Sequence, residues 1–193
     1  MRKLLSFYGW IGLLFFVSSF LFSCLLDLGW VILSIIGGIF AIALYLLVTD
    51  LNSNTDLSFI NLVRQKKYKH IIIIFLYSMF LGLLIELIGQ FLLKLWYYPP
   101  IKIIPFLFIL IPFFYVVFGI IVRETYLYLG KFFKSYLLKT VLTALILMLL
   151  IEAIDIFTLS WIYAPMNPIV LAVGWILLVL TFYVIPQKLK LFP

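Results

Sequence analysis

The chain contains one cysteine and one histidine in 193 residues, and charged residues make up 11% of it. Each scarcity excludes a class of chemistry. Cys24, being alone, provides neither an intramolecular disulfide nor a thiolate metal cluster. His70, equally alone, excludes a multi-histidine iron site of the kind membrane desaturases use. There is no phosphate-binding glycine loop, no HExxH and no GxSxG, so nucleotide-driven pumps, metal hydrolases and triad enzymes lack support. No metal site and no cofactor is expected. Room for a soluble domain is lacking too, since the longest polar stretch runs from Thr49 to Lys69.

What is present is apolar: 67% of residues are hydrophobic and 19% aromatic. That exceeds what a soluble core requires. Apolar runs fall near 5–25, 28–48, 70–95, 102–122, 137–161 and 167–186. Each is about 20 residues, enough to cross roughly 30 Å of hydrocarbon as a helix. The expectation is an all-α polytopic membrane protein with six transmembrane helices. Residues 1–193 then form a single transmembrane domain: an N-terminal hairpin over 1–48, a cytoplasmic loop over 49–69, and two further units over 70–122 and 137–186.

The net charge of +7 resembles that of a nucleic-acid binder, but its distribution argues against that partner. With six crossings, Arg2, Lys3, Arg64, Lys66, Lys67, Lys69, Arg123, Lys131, Lys134, Lys139, Lys188 and Lys190 share one side. Lys94 and Lys102 lie opposite. The positive-inside rule makes the basic side cytoplasmic, with both termini there, in a prokaryotic cytoplasmic membrane. Membrane lipid is the expected partner, through anionic head groups. Arg2-Lys3, an apolar run and Leu21-Phe22-Ser23-Cys24 resemble a lipoprotein signal, yet Leu25 leads directly into another apolar span. Cys24 is therefore read as a small residue packed between helices. Ser18, Ser19 and Ser23, facing Ser34, Gly37, Gly38 and Ala41, are read the same way, with a turn at Asp27 and Gly29. Leu57 to Lys69 reads as an amphipathic segment lying on the inner interface.

The chain also repeats itself. LLIELIGQFLLKLWYYP at 83–99 recurs as LLIEAIDIFTLSWIYAP at 149–165, without gaps. Glu86 and Glu152 correspond, as do Tyr97 and Tyr163, and Pro99 and Pro165. Each copy begins a helical hairpin, so the last four helices are expected to form two parallel repeats, related by an axis along the membrane normal. Pro105, Pro112 and Gly119 in one partner helix, and Pro168, Gly174 and Pro186 in the other, suggest kinks at unmatched positions.

Within the repeat, Glu86 and Gln90 are one turn apart, as are Glu152 and Asp155, with Gly82 and Gly89 allowing close approach of a neighbour. Both Glu residues lie roughly 15 Å from the aromatic exits along a helix. The acids of the two copies are expected at one depth, where Glu86, Glu152 and Asp155 cannot all ionise in a low-dielectric site. A neutral acid beside an ionised one serves general acid–base chemistry or a proton relay, so these three are candidate catalytic residues. Lys94 is the nearest candidate counter-ion. A membrane Glu can also simply hold two helices together through hydrogen bonds. The exits, with Trp96, Tyr97, Trp161 and Tyr163, read as an aromatic belt ended by Pro. Alternatively their rings line a pocket mouth and, with Gln90 and Lys94, bind a ligand. Arg123 and Glu124 are expected to snorkel or pair at the inner surface.

An intramembrane acid followed about ten residues later by Trp-x-Tyr or Trp-Tyr-Tyr, duplicated in a small six-helix chain, resembles lycopene cyclase-domain and carotenoid hydratase-type proteins. The resemblance spans residues 80–175 and implies protonation of an isoprenoid double bond by Glu86 and Glu152, with Asp155. Where those proteins have Pro-Glu-Glu on the following helix, Pro112 is followed by Phe113 and Phe114. Three readings stay open. One is a membrane protein binding or acid-catalytically modifying an isoprenoid-like lipid or small hydrophobic ligand. The second is a transport component, either a vitamin-type substrate-binding subunit or a proton-coupled carrier. The third is a structural or assembly subunit in an oligomer or with a partner.

Overall fold

The computed structural model describes residues 6–25, 30–97, 104–158, 162–164 and 167–192. Side chains at 16, 19–25, 30–38, 40, 104–111, 154–158 and 162 fall outside that description. The side chain of Asp155, all of Trp161, Asp27, Gly29, Pro99, Lys102 and Pro165, and the packing of Cys24 therefore lie outside the described residues, as does that of Ser19, Ser23, Ser34, Gly37 and Gly38.

The helices are α1 (Phe7–Leu25), α2 (Trp30–Leu51), α3 (Phe59–Arg64), α4 (Tyr68–Glu86), α5 (Ile104–Leu129), α6 (Tyr136–Thr158), α7 (Pro168–Val179) and α8 (Ile185–Lys188). Two π-helical turns occur among the described residues, Leu87–Leu92 continuing α4 and Leu180–Val184 joining α7 to α8. Strand β1 (Trp96–Tyr97) pairs antiparallel with β2 (Ile162–Tyr163), an element the sequence did not predict. The segments Tyr68–Leu92, Pro112–Leu129, Tyr136–Ala153 and Pro168–Lys188 are long and apolar enough to cross a membrane. Helix geometry suits such runs because it pairs the backbone groups within the segment, where lipid offers no partners.

Helix α4 shows how the bundle is sorted. Ile74, Ser78, Gly82 and Glu86, each one turn after the last, are buried. Ile72, Leu76, Phe80, Leu83, Leu84 and Leu87 are exposed. Small and polar residues face the protein and large apolar ones face outward, the order expected where the surrounding solvent is hydrocarbon. A β-carbon at Gly119 of α5 would run into the Ser78 hydroxyl, and one at Gly82 into the Tyr115 ring. Their absence lets α4 and α5 close on each other. Helices α1 and α2 pack at Gly12, where a β-carbon would lie 2.9 Å from both the Ala43 carbonyl oxygen and the Leu47 nitrogen.

The π turn before α8 follows from Pro186. The Ile185 N–H bonds to Leu180 O, so the next carbonyl in that pattern, Thr181, would pair with the nitrogen of Pro186, which has no hydrogen. The Tyr77 hydroxyl donates to Thr181 O instead, at 2.7 Å. The proline thus ties α7–α8 to α4.

At the end of the bundle opposite the strand pair, the loop after α2 is held by its own side chains. Asn61 Nδ2 donates to the carbonyls of Ser53 at 2.7 Å and Thr55 at 2.9 Å, and the Ser58 hydroxyl caps α3. Phe59 and Leu62 of α3 are buried while Arg64, Lys66, Lys67 and Lys69 are exposed. Ser6 N donates to Asp50 Oδ2 at 2.8 Å, and Phe192 packs edge-on against Tyr77 at 5.4 Å.

One expectation is overturned here. Arg123 and Glu124 neither snorkel nor pair at the surface: both side chains are 0% exposed, and they pair with each other at 2.8 Å. The reason is the length of α5, which continues to Leu129 rather than ending near 122. The loop before α3 folds over this stretch. Phe59 N donates to Glu124 Oε1 at 2.7 Å, Arg123 donates to Leu57 O, and Asn52 donates to Glu124 O.

Candidate functional site

Glu86 sits at the last α-helical position of α4, 5% exposed, where the helix widens into the π turn Leu87–Leu92. A π turn inserts a residue without ending the helix, and such turns cluster at functional sites. Here Leu93 N bonds to Ile88 O at 2.8 Å and Leu95 N to Gly89 O at 2.7 Å. Lys94, between them, has φ 53, the left-handed conformation that reverses the chain. The reversal folds β1 back over the turn. Trp96 then lies against Gly89, where any β-carbon would enter its ring. Its indole Nε1 donates to Glu86 Oε2 at a long 3.4 Å, and the Tyr115 hydroxyl donates to Glu86 Oε1 at 2.7 Å. Gly82 and Gly89, one turn either side of Glu86, are the seats of its two aromatic donors.

The second Glu is held by the same pair of groups with their origins exchanged. Glu152 Oε1 accepts from the Tyr163 hydroxyl at 2.7 Å and from the Trp175 indole at 2.8 Å. At Glu86 the exit strand supplies the indole and the partner helix the phenol. At Glu152 the exit supplies the phenol and the partner helix the indole. Met148 and Asp155 occupy the positions matching Gly82 and Gly89, and Glu152 is half-buried where Glu86 is buried.

The two holders are joined on both sides. Across the strand pair, Trp96 is opposite Tyr163 and Tyr97 opposite Ile162, with Ala164 N bonding to Leu95 O at 2.9 Å. Inside the bundle, Tyr115 stacks on Phe182 with ring centres 6.1 Å apart, and Phe118 lies 5.1 Å from Phe182 and 5.8 Å from Trp175. An aromatic circuit therefore runs from Glu86 through Tyr115, Phe182, Phe118 and Trp175 to Glu152, and returns by Tyr163 and Trp96. Apolar faces lie between two acids, Glu86 engaged at both carboxylate oxygens and Glu152 through Oε1.

Of the residues singled out from sequence, Glu86, Trp96, Glu152 and Tyr163 meet in this circuit. Gln90 is half-buried in the π turn, Tyr97 is paired in β1 but exposed, and Lys94 is exposed. Sequence reasoning missed Tyr115 and Trp175. A signal existed: over 102–122 Tyr115 is the one hydroxyl-bearing ring among several Phe, and over 167–186 Trp175 is the one indole. Each is the residue able to reach an acid from an otherwise apolar helix. Among the described residues no group of three or more His, Cys, Asp or Glu is placed to hold a metal ion. No protein-family model, curated protein or solved structure matches the chain.

Proposed function

We propose that this chain spans a prokaryotic cytoplasmic membrane six times with both termini inside, and that its paired Glu sites bind an isoprenoid-like lipid and modify it by proton transfer. The observation that carries the reading is the aromatic circuit linking Glu86 and Glu152, since flat apolar faces between two acids suit an extended polyene. The parallel repeat is part of the same proposal. An offset of 66 residues maps Trp96 to Ile162 and Tyr97 to Tyr163. The strand pairs Trp96–Tyr163 and Tyr97–Ile162 exchange under that mapping, as a two-fold axis between the units requires.

In the chemistry proposed, the acid form of one Glu gives its proton to a substrate double bond, forming a C–H bond and leaving a cation. A carboxylate then takes a proton from the adjoining carbon, or water adds and releases one, so no oxidant or cofactor is consumed. The aromatic donors hold the carboxylate that remains after transfer. Gln90, one turn from Glu86, extends the polar surface, and Asp155 is the acid one turn from Glu152 in the sequence.

The test is lipid extraction and mass spectrometry of the purified protein, followed by incubation with lycopene as the polyene probe. Wild type is expected to retain an isoprenoid and convert the probe. Glu86→Gln and Glu152→Gln are expected to keep the thermal transition and lose conversion by about two orders of magnitude or more. A second reading is favoured by the donors already present: each Glu staples its helix to the partner helix and exit strand. That reading stands instead if no isoprenoid is retained and both Gln variants keep full cellular function.

A further inference from the structure

A second polar site lies at the other end of the bundle. Thr55, Tyr126, Leu127, Gly130, Lys131, Lys139, Tyr183 and Gln187 line a cavity of about 250 Å³. The residues that matter are two cations. Lys131 Nζ is anchored by Leu51 O at 2.8 Å, and Lys139 Nζ stands 4.8 Å from the centre of the Tyr126 ring. The lining contains no acidic residue. Glu124, the acid that acts on Lys131, is engaged by Arg123 and by the Phe59 N–H.

The walls carry hydrogen-bonding atoms with nothing to bond. Tyr183 is 0% exposed and Tyr126 2%, yet the hydroxyl of Tyr183 finds no partner within the protein, nor does Gln187 Oε1. The Tyr126 hydroxyl lies towards Thr140 without a well-formed bond. A buried hydroxyl left unpaired costs about 1–3 kcal/mol, so the wall behind the two lysines is polar without being satisfied. The sign of the guest follows from the field. Two ammonium groups line the space, and the Arg123 guanidinium lies 6.0 Å from the Tyr183 ring, behind the wall. Burial lowers Lys131 below its ordinary value, opposed by Glu124, and an anion in the cavity would offset that loss.

We infer that this cavity binds a phosphate group held by Lys131 and Lys139. Phosphate suits the site because it offers several acceptor oxygens to two ammonium groups, one from the loop after α5 and one from α6. The site is separate from the carboxyl circuit and does not depend on the function proposed for it. Its guest is either the head group of a membrane lipid or a free phosphate species, and the two are separable by experiment.

The full-length protein is reconstituted in nanodiscs of phosphatidylcholine with or without phosphatidic acid. Native mass spectrometry measures retained lipid, and titration calorimetry measures inorganic phosphate. Retention of phosphatidic acid over phosphatidylcholine identifies a lipid head group; binding of inorganic phosphate identifies a soluble ligand. Either affinity should fall by about tenfold or more in Lys131→Met/Lys139→Met, since each substitution removes a charge-assisted contact. Lys134→Met, exposed and outside the lining, should leave it unchanged. The inference is overturned if neither probe binds, or if Lys134→Met weakens binding as much as the paired lining substitution.

Discussion

Glu86 shows how much a single residue depends on its neighbours having no side chain. Its two donors reach it across Gly82 and Gly89, and in each case a methyl group would occupy the volume of the ring. Gly82→Ala and Gly89→Ala are expected to destabilise the protein by about 1–3 kcal/mol each through overpacking. Gly174 is the control: nothing lies within 4 Å of its would-be β-carbon, and Gly174→Ala should stabilise α7 by about 0.5–1 kcal/mol. Thermal or denaturant unfolding in detergent checks all three, and equal losses at Gly174 and Gly89 would contradict the packing described. At the opposite end, Arg123 and Glu124 form a buried pair whose separation leaves an uncompensated charge. Arg123→Met should cost about 3–5 kcal/mol, while Arg123→Met/Glu124→Gln should cost less, because the new amide oxygen can still accept from Phe59 N–H.

Among the elements, α7 and α8 carry the clearest link between covalent structure and packing. Pro186 removes the N–H that Thr181 O would otherwise accept from, and the Tyr77 hydroxyl replaces it from α4. Tyr77→Phe should therefore cost about 1 kcal/mol in wild type. In a Pro186→Ala background the backbone can satisfy its own carbonyl, and the cost should shrink, which a double-mutant cycle measures. An undiminished cost would mean that the hydroxyl serves some other group. The positions of these helices were legible in the sequence because apolar run length and the helical repeat are local properties. The π turns were not. One depends on how Trp96 folds back on Gly89, and neither a propensity nor a period encodes that return.

For the molecule as a whole, the placement of charge and of polar clusters agrees on two distinct ends. The strand pair and its carboxyls occupy one, and the loop after α2, the buried ion pair and the phosphate cavity occupy the other. The proposed topology places the second end in the cytoplasm, following the positive-inside rule. With Cys24 replaced by Ala, an impermeant maleimide should label Lys69→Cys and Ser135→Cys from one side of oriented vesicles and Tyr97→Cys from the other. Labelling of Tyr97→Cys and Ser135→Cys from the same side would refute six crossings in this order.

The sequence by itself determined that the chain is helical and suited to a membrane, and that Glu86 and Glu152 are its unusual acids. Composition and periodicity suffice for those conclusions, because a helix in lipid must satisfy its own backbone and display apolar side chains. Tertiary structure alone decided what the acids touch. Tyr115 stands 29 residues from Glu86, Trp175 stands 23 from Glu152, and Asn52 reaches Glu124 across 72. Such pairings depend on which helices lie side by side and how closely small residues let them approach. The same closeness decided that Arg123 and Glu124 are interior rather than interfacial, and that two phenols and two lysines from separate segments meet around one cavity.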